Sequence, residues 1–78
     1  MKEYSRKKVK NGVEIGFRVT ENKVIFWESE DNPHGINHEI SCNVNDWFSD
    51  TKDAKRIKDC IQRNFGIEAL DSITQKLK

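Results

Sequence analysis

Val13, Ile15, Phe17 and Val19 alternate with Glu14, Gly16, Arg18 and Thr20. A period of two puts one apolar side of a strand on a core and one polar side outward. The run Val24-Ile25-Phe26-Trp27 follows after Glu21-Asn22-Lys23. A two-residue turn there predicts a hairpin, with Val24 and Phe26 beside the odd-numbered set. Ile25 and Trp27 then share the other face with Arg18 and Gly16.

Asn11-Gly12 is the strongest short turn signal in the chain. A plain two-residue turn would set Lys8 and Lys10 opposite core-facing residues, at a cost. A three-residue loop with Gly12 as a bulge pairs Val9 with Val13 and Lys8 with Glu14, and is the preferred register. Residues 4–10 then form an edge strand whose lysines discourage pairing with other chains.

Asn32-Pro33-His34-Gly35 reads as a loop, because Pro33 lacks a donor and Gly35 permits a left-handed turn. His38, Ile40, Cys42 and Val44 alternate with polar residues and predict a further strand. Ile40, Cys42 and Val44 point inward, and Trp47 and Phe48 roof the core beyond it. Ser49 or Asp50 can cap a helix in which Ala54, Ile57, Ile61 and Phe65 form one stripe, with Cys60 beside it. Gly66 stops that helix, and Leu70, Ile73 and Leu77 mark a second, shorter one.

The expectation is an α+β fold: an antiparallel β-meander of three to four strands, packed on one face by one or two C-terminal α-helices. Strands occupy about 4–44 and helices about 50–65 and 68–77. At 78 residues and 9.1 kDa the chain allows one small domain, burying about 60% of its unfolded surface. No apolar run approaches the roughly 20 residues of a membrane span, and no signal peptide is apparent. Cys42 and Cys60 are read as buried thiols in a reducing compartment, so a cytoplasmic protein is expected. The other sheet face is left uncovered, and Ile25, Trp27, Tyr4 and Arg18 are placed on it. Trp27 there either contacts a partner or lies flat over Gly16.

The charge layout carries the main functional clue. The net charge is +1, but residues 1–10 sum to +4, residues 28–50 to −6 and residues 51–78 to +3. Glu28, Glu30, Asp31, Glu39, Asp46 and Asp50 stand in the middle segment without a Lys or Arg. Gathered on one surface, they would make a negative region several kT deep and a docking face for a basic partner, with Trp27 as anchor.

Catalytic chemistry finds little footing. His34, His38 and Cys42 stand four apart, which in a strand is about 13 Å, too far for one ion. Neither cysteine lies in a local catalytic signature, and the four glycines are too scattered to cradle phosphate. No enzyme activity, cofactor or metal is expected.

The segment Ile61 to Leu70 resembles the middle of a helix-turn-helix around Gly66. Its second helix would then bury Ser72 and Gln75, and Glu68 and Asp71 would bring negative charge to the groove. The order of elements, and Thr51-Lys52-Asp53-Ala54 as a helix start, resemble the arm-binding domain of phage-type integrases. That resemblance implies an accessory DNA-binding role in which Lys7, Lys8, Arg56 and Arg63 touch phosphate.

Size, the absence of a reactive constellation and clustered acids resemble, in architecture, small phage-encoded inhibitors such as anti-CRISPR proteins. That resemblance implies a non-catalytic protein-binding module. Glu28, Glu30, Asp31, Glu39, Asp46, Asp50 and Trp27 would occlude the basic, nucleic-acid-binding surface of a nuclease or guide-RNA complex. This is the leading expectation, and direct DNA binding is the alternative.

Overall fold

The computed structural model describes residues 3–30 and 37–78. Four strands, β1 (Tyr4–Lys10), β2 (Val13–Val19), β3 (Lys23–Glu30) and β4 (Asn37–Asn43), form one antiparallel sheet in the order β1-β2-β3-β4. Three helices follow, α1 (Val44–Ser49), α2 (Lys52–Phe65) and α3 (Ile67–Leu77). The α+β meander with C-terminal helices is therefore present. The loop expected at 32–35 lies outside the described residues.

The β2–β3 hairpin has the expected register, with Val19 opposite Val24 and Phe17 opposite Phe26. Thr20 closes it by donating its N–H to the Lys23 carbonyl at 2.9 Å. Phe17, Val19, Val24 and Phe26 are buried beneath Ala54, Ile57 and Ile61 of α2 and Ala69 and Ile73 of α3. Burial of such apolar surface, at about 25 cal/mol per Å², is the main force holding the two layers together.

The first hairpin departs from the bulged register. Lys10 pairs with Val13, Lys8 with Ile15 and Tyr4 with Val19. Asn11 and Gly12 both have positive φ, 54° and 77°, the geometry of a two-residue turn whose twist suits the strands. Tyr4, Arg6, Lys8 and Lys10 consequently point to the helix side, and Tyr4 is not on the open face. The expected cost is avoided because Arg6 and Lys8 find electron-rich partners at the rim and Lys10, at the strand end, is exposed. Arg6 and Lys8 lie 5.3 and 5.2 Å from the centroid of the Phe65 ring, and the Lys8 ammonium donates to the Asn64 carbonyl at the end of α2. Phe65 packs edge-on against Phe17, and Phe17 against Tyr4.

Beyond β4 the chain turns at once into α1, so Val44 opens a helix rather than closing a strand. Trp47 is buried in the core, with its indole N–H donating to Thr74 Oγ1 at 3.1 Å. Phe48 points outward, half of its surface exposed. Of the two roofing aromatics expected, Trp47 alone takes that role. The cap of α2 is Thr51, whose Oγ1 accepts from the Ala54 N–H at 3.3 Å, and not Ser49 or Asp50. Asp50 takes a left-handed conformation at the end of α1. Gly66, at φ 87°, joins α2 to α3 with no other residue between them.

Candidate functional site

Register and alternation decide where each acid goes. Glu28 stands opposite Ile15 and His38, and Glu30 opposite Val13. Both glutamates thus share the helix-side face with Phe26, two and four residues further along the same strand. They occupy the end of that face which the helices leave open: Glu28 is exposed and Glu30 half-buried. Two hollows adjoin there, and Glu28 and His38 line both. One, of about 220 Å³, is completed by Phe26, Ile40, Arg56 and Cys60, and the other, of about 170 Å³, by Val13 and Glu30. The result is a shallow shelf with an aliphatic and aromatic floor and two carboxylates at its rim. Such carboxylates accept hydrogen bonds from ammonium or guanidinium groups. Among the described residues neither glutamate forms an ion pair.

The other acids are elsewhere. Glu39 pairs with Trp27, on the opposite, open face of the sheet. Asp46 lies in the first turn of α1, in a hollow with Glu21, Asn22 and Asn43. Asp50 is bound by the Lys58 ammonium at 2.6 Å, which holds its carboxyl below the usual carboxylate range. Asp31 lies outside the described residues. The expected single acidic surface is therefore divided. Alternation separates 28 and 30 from 39, and a salt bridge neutralises 50.

Trp27 covers Gly16. A Cβ built on Gly16 would lie 2.4 Å from the indole Cζ2, and the indole N–H donates to Glu14 Oε2 at 3.0 Å. Of the two roles open to Trp27, its packing fits the cover over Gly16. Elsewhere on the open face Arg18 pairs with Glu3 at 2.9 Å and Lys7 lies 3.8 Å from Glu14, while Glu39 forms no ion pair among the described residues.

The four residues suggested for phosphate contact do not form one surface. Lys7 is on the open face and Lys8 on the helix side, since they are consecutive in β1. Arg56 lines the shelf beside β4, and Arg63 is paired with Asp59 at 2.9 Å.

The cysteines also part company. Cys42 is buried in the core, where burial, reinforced by Asp46, pushes its thiol up and away from the reactive thiolate. Cys60 is half-buried in the wall of the larger hollow, and an Arg63 N–H approaches its sulfur at 3.7 Å. Among the described residues no three His, Cys, Asp or Glu side chains are grouped to hold a metal ion. His34 lies outside them. No described helix is long and apolar enough to cross a membrane.

Reading the acids by their proximity in sequence missed His38 and Val13 as neighbours of Glu28 and Glu30. Strand parity counted from Phe26 and Ile40 carries that signal. Comparison with protein-family models, curated proteins and solved structures found no match to this chain.

Proposed function

We propose that this chain is a non-catalytic protein-binding module whose shelf receives a basic segment of a protein partner. Glu28 and Glu30 meet the partner's lysines or arginines, and Val13 and the edge of Phe26 take the apolar parts of the same segment. The observation that supports this reading is the placement of Glu28 and Glu30. Two carboxylates without ion-pair partners among the described residues stand on the face of the sheet that elsewhere is core, beside two hollows whose walls mix apolar side chains with His38 and, in the larger, Arg56. Small apolar areas rimmed by charge gain holding energy from the former and orientation from the latter.

The partner class that suits such a rim is a protein that handles nucleic acid, whose basic surface the module would occupy in place of phosphates. In that role the module acts as an inhibitor, in the manner of phage-encoded decoys. The acidic contribution comes from Glu28 and Glu30 rather than from all six acids.

The test compares the chain with its Glu28→Lys, Glu30→Lys double variant as affinity baits. A protein captured by the first, lost with the second and displaced by added duplex DNA supports the proposal. Capture that is indifferent to the double reversal overturns it. Binding of duplex by the unmodified chain itself, falling steeply with salt, favours a nucleic-acid-binding role instead.

A further inference from the structure

The two edges of the sheet are built differently. The β1 edge carries Arg6, Lys7, Lys8 and Lys10. Two copies of β1 laid antiparallel about Lys7 would set Lys7 against Lys7 and Arg6 against Lys8, like charges directly opposite, which is destabilising. The β4 edge has no such guard. Its seven residues include no Lys, Arg or Pro, and they pair with β3 in unbroken register from Asn37 to Asn43, without a bulge. Its outer side pairs with no described strand. Glu39 is its one carboxylate, and regular edges without Lys, Arg or Pro are templates for a further strand.

Self-complementarity points to what that strand is. A twofold axis through Ile40, normal to the sheet, lays β4 antiparallel to β4 of a second copy. Ile40 then meets Ile40, Glu39 meets Ser41, and His38 meets Cys42, so no like charges oppose one another. On the helix side, Asp53 and Arg56 of α2 line a hollow of about 180 Å³ with Ile40 and Ser41. Neither makes an ion pair among the described residues. The same axis reverses the order of these two side chains. Asp53 of one copy comes to face Arg56 of the other, twice over.

We infer that two copies of this chain join through β4 as an isologous dimer with one continuous sheet. Half-buried Ile40 becomes buried at the axis, flanked by the two Asp53–Arg56 pairs. This inference does not depend on the binding role of Glu28 and Glu30. Self-association is measured on the chain alone, and the proposed partner is absent from the experiment.

Sedimentation equilibrium of the full chain is expected to give a concentration-dependent mass that approaches twice 9.1 kDa. Asp53→Arg or Arg56→Asp, each placing like charges together at both ends of the interface, should weaken association roughly tenfold or more. The double variant should restore it. Circular dichroism and thermal melting establish that each variant is folded. Amide exchange provides a readout without substitution: protection of residues 38–42 should rise with protein concentration, and that of β1 should not. A chain that stays at 9.1 kDa up to ~1 mM overturns the inference. So does a dimer indifferent to both single reversals, a folded double variant as weak as the singles, or protection that rises at β1 instead.

Discussion

Trp27 lies across Gly16 on the open face of the sheet, so closely that a methyl group on Gly16 would come within 2.4 Å of the indole ring. The two residues are directly opposite in the β2–β3 pairing. The ring supplies the side chain that Gly16 lacks, and its N–H is anchored on Glu14. Gly16→Ala must displace the indole, breaking that bond and exposing ring surface. We expect destabilisation of about 1–3 kcal/mol in urea unfolding, despite the better strand propensity of alanine. Trp27→Val in the Gly16→Ala background should recover part of the loss by removing the clash.

Lys58 joins two helices at their meeting point. Its ammonium donates to the Trp47 carbonyl and to Asp50 Oδ1, both at 2.6 Å, and lies 4.9 Å from the centroid of the Trp47 ring. The carbonyl belongs to the last turn of α1, whose acceptors have no partners within the helix. Lys58→Met keeps the aliphatic stem and loses the donors. It should cost about 1–2 kcal/mol by chemical denaturation, through the bond to the half-buried carbonyl.

The Asp50 half of this contact is solvent-exposed and should show itself mainly in pH dependence. Its carboxyl is held below its ordinary value by the Lys58 hydrogen bond and charge. The unfolded chain binds a proton there first as pH falls, so the contribution is full above the ordinary carboxylate range, above about pH 4. It is lost as pH drops through the lower folded-state value. Thermal melts of the chain and of Asp50→Asn should therefore differ at neutral pH and converge in acid. A difference that grows on acidification contradicts the assignment.

Thr51→Ala removes the side-chain acceptor for the Ala54 N–H and should destabilise by about 1 kcal/mol. Ser49→Ala touches only a bond to the Asn45 carbonyl within α1 and should fall within about 0.5 kcal/mol of the unmodified chain. Reversal of that order in equilibrium unfolding would place the cap elsewhere.

Lys7 and Lys8 are neighbours in sequence with opposite surroundings. Lys7 is exposed beside Glu14, whereas Lys8 is half-buried against Phe65 and the Asn64 carbonyl. Lys8→Ala is expected to lower stability by about 1 kcal/mol, and Lys7→Ala by no more than about half that. The comparison, made by urea unfolding, tests the register of the first hairpin directly. In the bulged alternative Lys8 would be the exposed residue.

Periodicity makes much of this architecture readable in the sequence alone. The alternation from Val13 to Val19 and from Val24 to Trp27 fixes faces and register together, because a slip by one residue would invert both. The stripe Ala54, Ile57 and Ile61 gives α2 the same certainty. Elsewhere local signals competed. The bulged register at Asn11-Gly12 follows only if lysines facing the helices must lose their solvation. At an edge strand they reach a ring face and a helix-terminal carbonyl instead. α1 has six residues, too few for a periodic signature, so its polar and aromatic positions read equally well as a loop. The acids misled for a different reason. Closeness along the chain is not closeness in space, because parity alone separates Glu28 and Glu30 from Glu39.

The junction between α2 and α3 sets a limit on how this chain can vary in length. Gly66 is the whole of the connection, so a single pair of torsions aims the eleven residues of α3. From there Ala69 and Ile73 seal the core, and Thr74 holds the indole of Trp47. An insertion at this hinge would swing α3 off its seat and strand the tryptophan without an acceptor. The same insertion in the turn at Asn11-Gly12, whose two residues are exposed, would be taken up in solvent.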